Sequence, residues 1–180
     1  MSEADPKMQT AYLGLGSNRR RTHHIGAGIR ALHARFASAE HPIRVARVFE
    51  SAAIGFDGHD FYNTVVAIET DVSVADLVAA CKTIEREHGH PSSAPKYSPR
   101  TLDIDVLLYA DLVCEQPIVL PRTEVLENAF VLWPLAELAP TFVHPVQGQT
   151  FAQLWQNYRC EQRLKPLEFV FEALPYLQTP

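Results

Sequence analysis

Apolar residues follow two different spacings along the first two thirds of the chain. Short apolar or alternating runs predict four strands, at residues 10–16, 43–51, 61–72 and 102–108. Apolar residues three or four positions apart predict two helices, within residues 25–36 and 73–88. The resulting order of strand, helix, strand, strand, helix, strand is the split βαβ pattern of ferredoxin-like folds.

Residues at the ends of these segments support the same boundaries. Ser73 can cap the second helix through its hydroxyl group, with Asp76 three positions further on, and Gly89 can end that helix. Residues 90–100 contain three prolines and three serines, a composition that favours a loop.

We therefore predict one α+β domain that spans residues 1–180. Its ferredoxin-like βαββαβ core has a mainly antiparallel sheet covered by helices, and residues 130–138 and 151–158 add C-terminal helices. The tail at 160–180 has few signals beyond an apolar stretch at 169–171, which could dock on the body of the protein or on a partner.

Charge and composition narrow the classes of function. Of 180 residues, 47% are hydrophobic, which is enough for a core, and the net charge is −5. Proteins whose main partner is nucleic acid need a basic face, so we do not expect that class. The polar amino terminus lacks a signal-peptide pattern, and no apolar run approaches the roughly 20 residues of a membrane span. We expect a cytoplasmic protein.

The three cysteines, Cys81, Cys114 and Cys160, lie far apart in the sequence. Their odd number and the absence of a CxxC pair argue against a disulfide framework or a zinc site. We expect them to be reduced thiols.

Two acids on one predicted strand are the strongest sign of chemistry. Asp103 and Asp105 are two positions apart, so their carboxylates share one face, about 7 Å apart along the strand. Like charges this close repel each other unless a cation lies between them, and Mg²⁺ prefers carboxylate oxygens that it shares with substrate phosphates. The pair indicates a magnesium–nucleotide site, although an edge strand with a solvated acidic face has the same pattern.

The residues before this strand include a cluster of possible phosphate contacts, at His88, His90, Lys96 and Arg100. An arginine can bind phosphate oxygens through two parallel hydrogen bonds. A loop beside a two-acid strand suits an enzyme that closes over ATP and excludes water. A solvated loop charge is the alternative for Lys96.

Four segments resemble one known family in their order and spacing. The segment PRTLDIDVLL resembles the signature of the 6-hydroxymethyl-7,8-dihydropterin pyrophosphokinases. AYLGLGSN resembles their first strand and turn, and DFYNTVVAIET resembles the strand that carries a pterin-contacting aromatic residue and an asparagine. FVLWPLAELAP resembles the segment after the last pterin-contacting aromatic residue. The resemblance covers residues from about 10 to 155.

The resemblance implies a role for each matching position. Asp103, Asp105 and Arg100 would be catalytic, and the two acids would bind two Mg²⁺ ions that bridge the ATP phosphates. The pterin would be bound by Ser51, Ile54, Gly55, Phe61, Asn63 and Phe130. ATP would be contacted by Lys82, Glu85, Lys96, Tyr97, Arg100 and Arg122. Core packing is the alternative for the two phenylalanines, and a satisfied strand-edge amide is the alternative for Asn63.

The activity implied by this resemblance is transfer of pyrophosphate from ATP to the hydroxymethyl group of 6-hydroxymethyl-7,8-dihydropterin, in folate biosynthesis. The pterin hydroxyl would attack the β-phosphorus of ATP, and AMP would leave. Such a transferase needs positioning and charge neutralisation, without a covalent enzyme intermediate. Its expected partners are these two small molecules, with other folate- or pterin-pathway enzymes as candidates.

The chain departs from the family pattern mainly at basic positions. His90 and Asn128 stand where the family has arginines, Tyr97 replaces a tryptophan, and Pro117 replaces a basic residue. Arg122 lies in a Pro-Arg-Thr segment where the family has Pro-His-Pro or Pro-His-Tyr, so it is a candidate replacement cation. Three hypotheses remain open: an active transferase, a pterin-binding paralogue with little catalysis or a modified pterin as substrate, and an unrelated ferredoxin-like regulatory module.

Overall fold

The structure is a computed structural model and describes residues 7–53, 59–89 and 101–180. In chain order, the elements of these ranges are β1 (Gln9–Ser17), α1 (Arg21–Phe36), β2 (Ile43–Val45), β3 (Phe49–Ser51), β4 (Phe61–Thr70), α2 (Val74–Glu87), β5 (Asp103–Tyr109), α3 (Glu124–Glu127), α4 (Ala129–Leu138), α5 (Phe151–Gln156), β6 (Leu164–Pro166) and β7 (Leu177–Gln178).

The described strands form one sheet with β1 and β4 at its centre. Its main path runs β5-β1-β4-β2-β7, while β3 pairs with β4 further along that strand and with β6 on its other side. The pairs are antiparallel except for β2 with β7. The predicted α+β fold with a mainly antiparallel sheet is confirmed.

Helices cover both faces of the sheet. On one face, α1 and α2 pack through apolar side chains onto a core that includes Leu13, Leu15, Ile25, Leu77 and Ile84. On the other face, α4 and α5 pack onto a second core that includes Tyr12, Val65, Leu132, Leu135 and Phe151. Each large apolar side chain buried in this way stabilises the fold by roughly 1.5–3 kcal/mol.

The helix boundaries follow the local sequence closely. The Ser73 hydroxyl accepts a hydrogen bond from the Asp76 backbone N–H at 3.1 Å, as predicted for the start of α2. Gly89 follows the end of α2 with φ of 82°, the left-handed backbone that favours glycine. Helix α1 begins at Arg21, before the predicted start at Ile25, because apolar spacing marks only the buried part of a helix.

The prediction of one strand at 43–51 is wrong. Val45 pairs with Val66, and Phe49 pairs with Asn63, so three residues of this strand face two residues of β4. The extra residue breaks the ladder of hydrogen bonds and separates β2 from β3.

The C-terminal tail docks on the body of the protein. Its strands β6 and β7 pair with β3 and β2, and the partly buried Phe169 and Phe171 pack against the core that α1 and α2 cover. The sequence pattern had not indicated the two short strands. No helix within the described ranges has the length and apolar character needed to cross a bilayer.

Candidate active site

A cleft of about 510 Å³ lies over the sheet face that carries α4. The neighbouring strands β5, β1 and β4 form its floor. Residues that pair across neighbouring strands point to the same face of the sheet, so the pairs show which side chains reach the cleft. Gly16 of β1 pairs with Asp103 of β5 on one side and with Asn63 of β4 on the other. One step along the same face, Gly14 lies between Asp105 and Val65. The acids therefore line one side of the cleft and the asparagine lines the other.

Two glycines make room for a ligand between these side chains. A Cβ atom on Gly16 would lie 3.3 Å from Asn63 Oδ1 and 3.6 Å from a ring carbon of Phe61. A Cβ atom on Gly14 would lie 3.3 Å from the Leu107 side chain. Because both glycines lie on the central strand of the floor, their missing side chains leave a trench between β5 and β4. This role was not predicted, although the alternation LGLG in β1 places both glycines on one face.

Asp103 and Asp105 place two negative charges close together in the cleft. Burial, and then the charge of Asp103, raise the pKa of Asp105 to about 6, while the cations Arg122 and Lys82 act in the opposite direction. Both carboxylates line the cleft, as the alternation predicted. Within the described ranges no group of three or more acidic, histidine or cysteine side chains is arranged to hold a metal ion by itself. Two carboxylates still suit Mg²⁺, which usually keeps waters and substrate phosphates among its ligands.

A bulge in β5 brings a cation to the acids. Tyr12 pairs with Leu108 and Leu13 pairs with Val106, which leaves Leu107 without a partner in β1. The Leu107 carbonyl instead accepts the Arg122 backbone N–H at 2.9 Å. The bulge also shifts the alternation along β5, so Leu108 packs in the α4-side core and not with Ile104 and Val106.

The Arg122 guanidinium group is held at the cleft by an acid. It donates hydrogen bonds to both carboxylate oxygens of Glu124, at 2.9 and 3.2 Å. Its pKa is raised first by this hydrogen bond, and the charges of Asp105 and Asp103 raise it further. Sequence reasoning missed Glu124 and Glu127 as cleft residues, because nothing in their local pattern marks them.

The other half of the cleft contains the residues predicted to contact a pterin. Ser51, Phe61, Asn63 and Phe130 all line it. Asn63 and Ser51 are buried, and the Asn63 amide donates a hydrogen bond to the Ser51 hydroxyl at 2.6 Å. Phe61 and Ser51 face each other across β4 and β3, while Phe130 comes from the first turn of α4. The structure thus brings two polar groups and two aromatic rings to one end of the cleft.

Two predicted ATP contacts, Lys82 and Glu85, belong to helix α2, which packs on the sheet face opposite the cleft. The Glu85 carboxylate is almost fully buried and accepts the backbone N–H of Ile104 at 2.7 Å, between the two acids of β5. Lys82 Nζ lies 3.0 Å from Glu85 Oε2. In this arrangement Glu85 supports the backbone that carries Asp103 and Asp105, and its predicted contact with ATP stays a prediction.

Five predicted site residues lie outside the described ranges. They are Ile54, Gly55, Lys96, Tyr97 and Arg100. Their roles at the pterin and ATP sites stay predictions.

Comparison with known proteins identifies the family. A family model described as 7,8-dihydro-6-hydroxymethylpterin-pyrophosphokinase (HPPK) matches residues 12–140 of the chain. The chain belongs to the HPPK family. The resemblance to this family is thereby confirmed, and the cleft described above is the candidate active site of an HPPK family member.

Relatives support the same assignment over most of the chain. It is 33% identical over 162 residues to the 2-amino-4-hydroxy-6-hydroxymethyldihydropteridine pyrophosphokinase of Aquifex aeolicus, covering 88% of this chain and 96% of the relative. It is 38% identical over 150 residues to the protein of the same name from Methylorubrum extorquens, covering 79% of this chain and 89% of the relative.

A solved structure shares the fold. The wild-type HPPK-DHPS protein of Plasmodium falciparum superposes with a TM-score of 0.66 at 14% sequence identity. The match covers 87% of this chain and 46% of the solved chain, so this chain spans less than half of that protein.

Proposed function

We propose that this protein transfers pyrophosphate from ATP to the hydroxymethyl group of 6-hydroxymethyl-7,8-dihydropterin, releasing AMP. The observation that carries the proposal is the cleft itself. The protein is a member of the HPPK family, and its cleft has two acids on one side and a buried amide with two aromatic rings on the other. The two glycines of β1 lie between these groups. Folate synthesis in the cytoplasm is the proposed setting, and two further relatives bear the name folic acid synthesis protein.

The pterin would occupy the end of the cleft lined by Asn63 and Ser51. A pterin ring is flat and carries hydrogen-bond donors and acceptors on its edge, so it suits a buried amide beside aromatic side chains. Asn63 would bind the ring edge, and Phe61 and Phe130 would contact its faces. Because Ser51 already accepts a hydrogen bond from Asn63, the amide is oriented before the pterin arrives.

ATP would lie at the acidic end with Mg²⁺ held by Asp103 and Asp105. Bound there, Mg²⁺ would supply charge neutralisation for the phosphates. Arg122 would add a positive charge beside the same phosphates, in a position where the family pattern has histidine. Glu124 keeps the guanidinium group at the edge of the cleft until a phosphate competes for it.

The reaction follows from this placement. The pterin hydroxyl releases its proton to water, and its oxygen forms a bond to the β-phosphorus of ATP. The bond between that phosphorus and the oxygen bridging to the α-phosphorus breaks, and AMP carries the oxygen away. The chain's own contribution is to hold the two reactants in line and to place Arg122 near the developing charge.

The test is an assay of AMP release with pure protein, ATP, Mg²⁺ and 6-hydroxymethyl-7,8-dihydropterin. We expect AMP release that depends on the pterin and is lost in Asp105→Ala. If the protein binds the pterin but releases no AMP, the proposed activity is wrong and a pterin-binding role replaces it.

The role of Arg122 has a separate test. We expect Arg122→Gln to lower kcat by on the order of 10²–10³-fold, the usual effect of removing one charge-stabilising group. Arg30→Gln is the control, since Arg30 is an exposed residue of α1 on the opposite face of the sheet. If the two variants are equally active, Arg122 does not contribute to catalysis at the proposed site.

A further inference from the structure

Residues 158–167, which we call the C-terminal strap, contact two walls of the cleft from outside. The strap follows α5 and includes β6, and it lies beyond residue 140, where the match to the family model ends. One wall is β3, which carries Ser51. The other is the junction of α3 and α4, which carries Asn128 and Phe130.

The first contact completes the sheet beside Ser51. Strand β3 has only three residues, and it lies between β4 and β6. Ser51 pairs with Phe61 on one side and with Leu164 of the strap on the other. The ladder continues where the Leu167 N–H donates to the Val48 carbonyl at 2.9 Å. Without the strap β3 would be a short edge strand, whose unpaired backbone groups leave it weakly held.

The second contact caps the helix that carries Phe130. A helix start leaves backbone N–H groups without partners, and the Asn128 side chain at the N-cap of α4 makes no cap hydrogen bond. The Gln162 side chain serves instead, because its Oε1 accepts the Ala129 N–H at 2.7 Å.

The same Gln162 amide also holds the chain just before α4. Its Nε2 atom donates to the Glu127 carbonyl and to Asn128 Oδ1, both at 3.3 Å. The Tyr158 hydroxyl donates to the same Glu127 carbonyl at 2.7 Å. Glu127 and Asn128 line the cleft directly before Phe130, so the strap fixes the approach to that ring.

We propose that the C-terminal strap positions the pterin-binding half of the cleft, with Gln162 as the positioning residue that orders the α4 start and Phe130. This inference rests on the proposed function, since it assumes that Ser51, Asn63 and Phe130 bind the pterin. The acids lie on β5, which is separated from β3 by β4 and β1. Loss of the strap contacts therefore acts on pterin binding and leaves nucleotide binding at the acids nearly unchanged.

The test compares Gln162→Met with Gln178→Met in the protein of 180 residues. Methionine keeps the length of the side chain and removes its hydrogen bonds. Gln178 is an exposed residue of the same tail in β7, which pairs with β2 and not with a cleft wall. Pterin affinity is measured by fluorescence quenching and the affinity for a non-hydrolysable ATP analogue with Mg²⁺ by calorimetry. Hydrogen exchange of residues 129–131 reports on the helix start without any ligand.

We expect Gln162→Met to weaken pterin binding about fivefold, the factor that corresponds to losing one helix cap. Affinity for the ATP analogue should stay within about twofold, exchange at residues 129–131 should quicken, and Gln178→Met should match the wild type.

Three results would overturn the inference: unchanged pterin affinity and exchange in Gln162→Met, an equal loss of both affinities, or the same loss in Gln178→Met. If the wild type binds no pterin, the proposed function fails. The exchange comparison then decides by itself whether Gln162 orders the start of α4.

Discussion

Replacing Asp105 by asparagine should make the metal-free protein more stable above pH 6. The pKa of Asp105 rises on folding from its ordinary 3.8 to about 6, because the side chain is buried beside Asp103. The folded state therefore holds this proton more tightly than the unfolded state does. Well below pH 4 both states are protonated and nothing is lost. Stability then falls as the pH rises from about 4 through 6, and it stays level at higher pH.

The size of the effect follows from the same values. One unit of pKa corresponds to about 1.4 kcal/mol, so the ionised Asp105 opposes folding by at most about 3 kcal/mol at pH 8. Asparagine has nearly the same shape and no charge, so it removes this opposition. For a domain of this size, 3 kcal/mol corresponds to a rise in Tm of roughly 6–12 °C.

Thermal unfolding at pH 8 and pH 4 in a chelating buffer, with and without Mg²⁺ and an ATP analogue, measures the effect. The Asp105→Asn gain should be full at pH 8 and fall to a small fraction of that value at pH 4. Mg²⁺ with the nucleotide should stabilise the wild type and not the variant, because ligands stabilise only the state that binds them. Asp111→Asn, an exposed position after β5, is the control.

Two outcomes would refute this reasoning. If the Asp105→Asn variant is no more stable than the wild type at pH 8, the charge of Asp105 does not oppose folding. An equal gain at both pH values would mean that the effect does not come from ionisation.

Two further substitutions test the floor of the cleft and its support. Gly16→Val should weaken pterin binding by at least about tenfold, about 1.4 kcal/mol, because the new side chain enters the space beside Asn63. Fluorescence quenching measures it, and Gly26→Ala, where a Cβ meets nothing within 4 Å, should bind normally. Glu85→Ala should lower the free energy of unfolding in urea by about 1–3 kcal/mol, because the Ile104 N–H loses its buried partner. Exposed Glu87→Ala on the same helix should change it by less than about 0.5 kcal/mol, and equal losses would contradict the role of Glu85.

Local periodicity was enough to predict most of the main elements and, up to the bulges, the sides on which their residues lie. Alternation along β5 placed Asp103 and Asp105 on one face, and the structure confirms that both line the cleft. The same rule applies to β1, where Leu13 and Leu15 enter the core on one face and Gly14 and Gly16 form the floor on the other. These features depend on spacing within one strand, which a sequence displays directly.

The sequence by itself therefore determined the fold class, the family and the paired acids of the candidate site. The tertiary structure decided which distant residues meet there. The bulge at Leu107 gives Arg122 a backbone partner, and Gln162 caps a helix 33 positions earlier in the chain. Such contacts depend on strand register and on the path of the tail over the body. Both are set by packing between segments far apart in sequence, and no local pattern of residues records them.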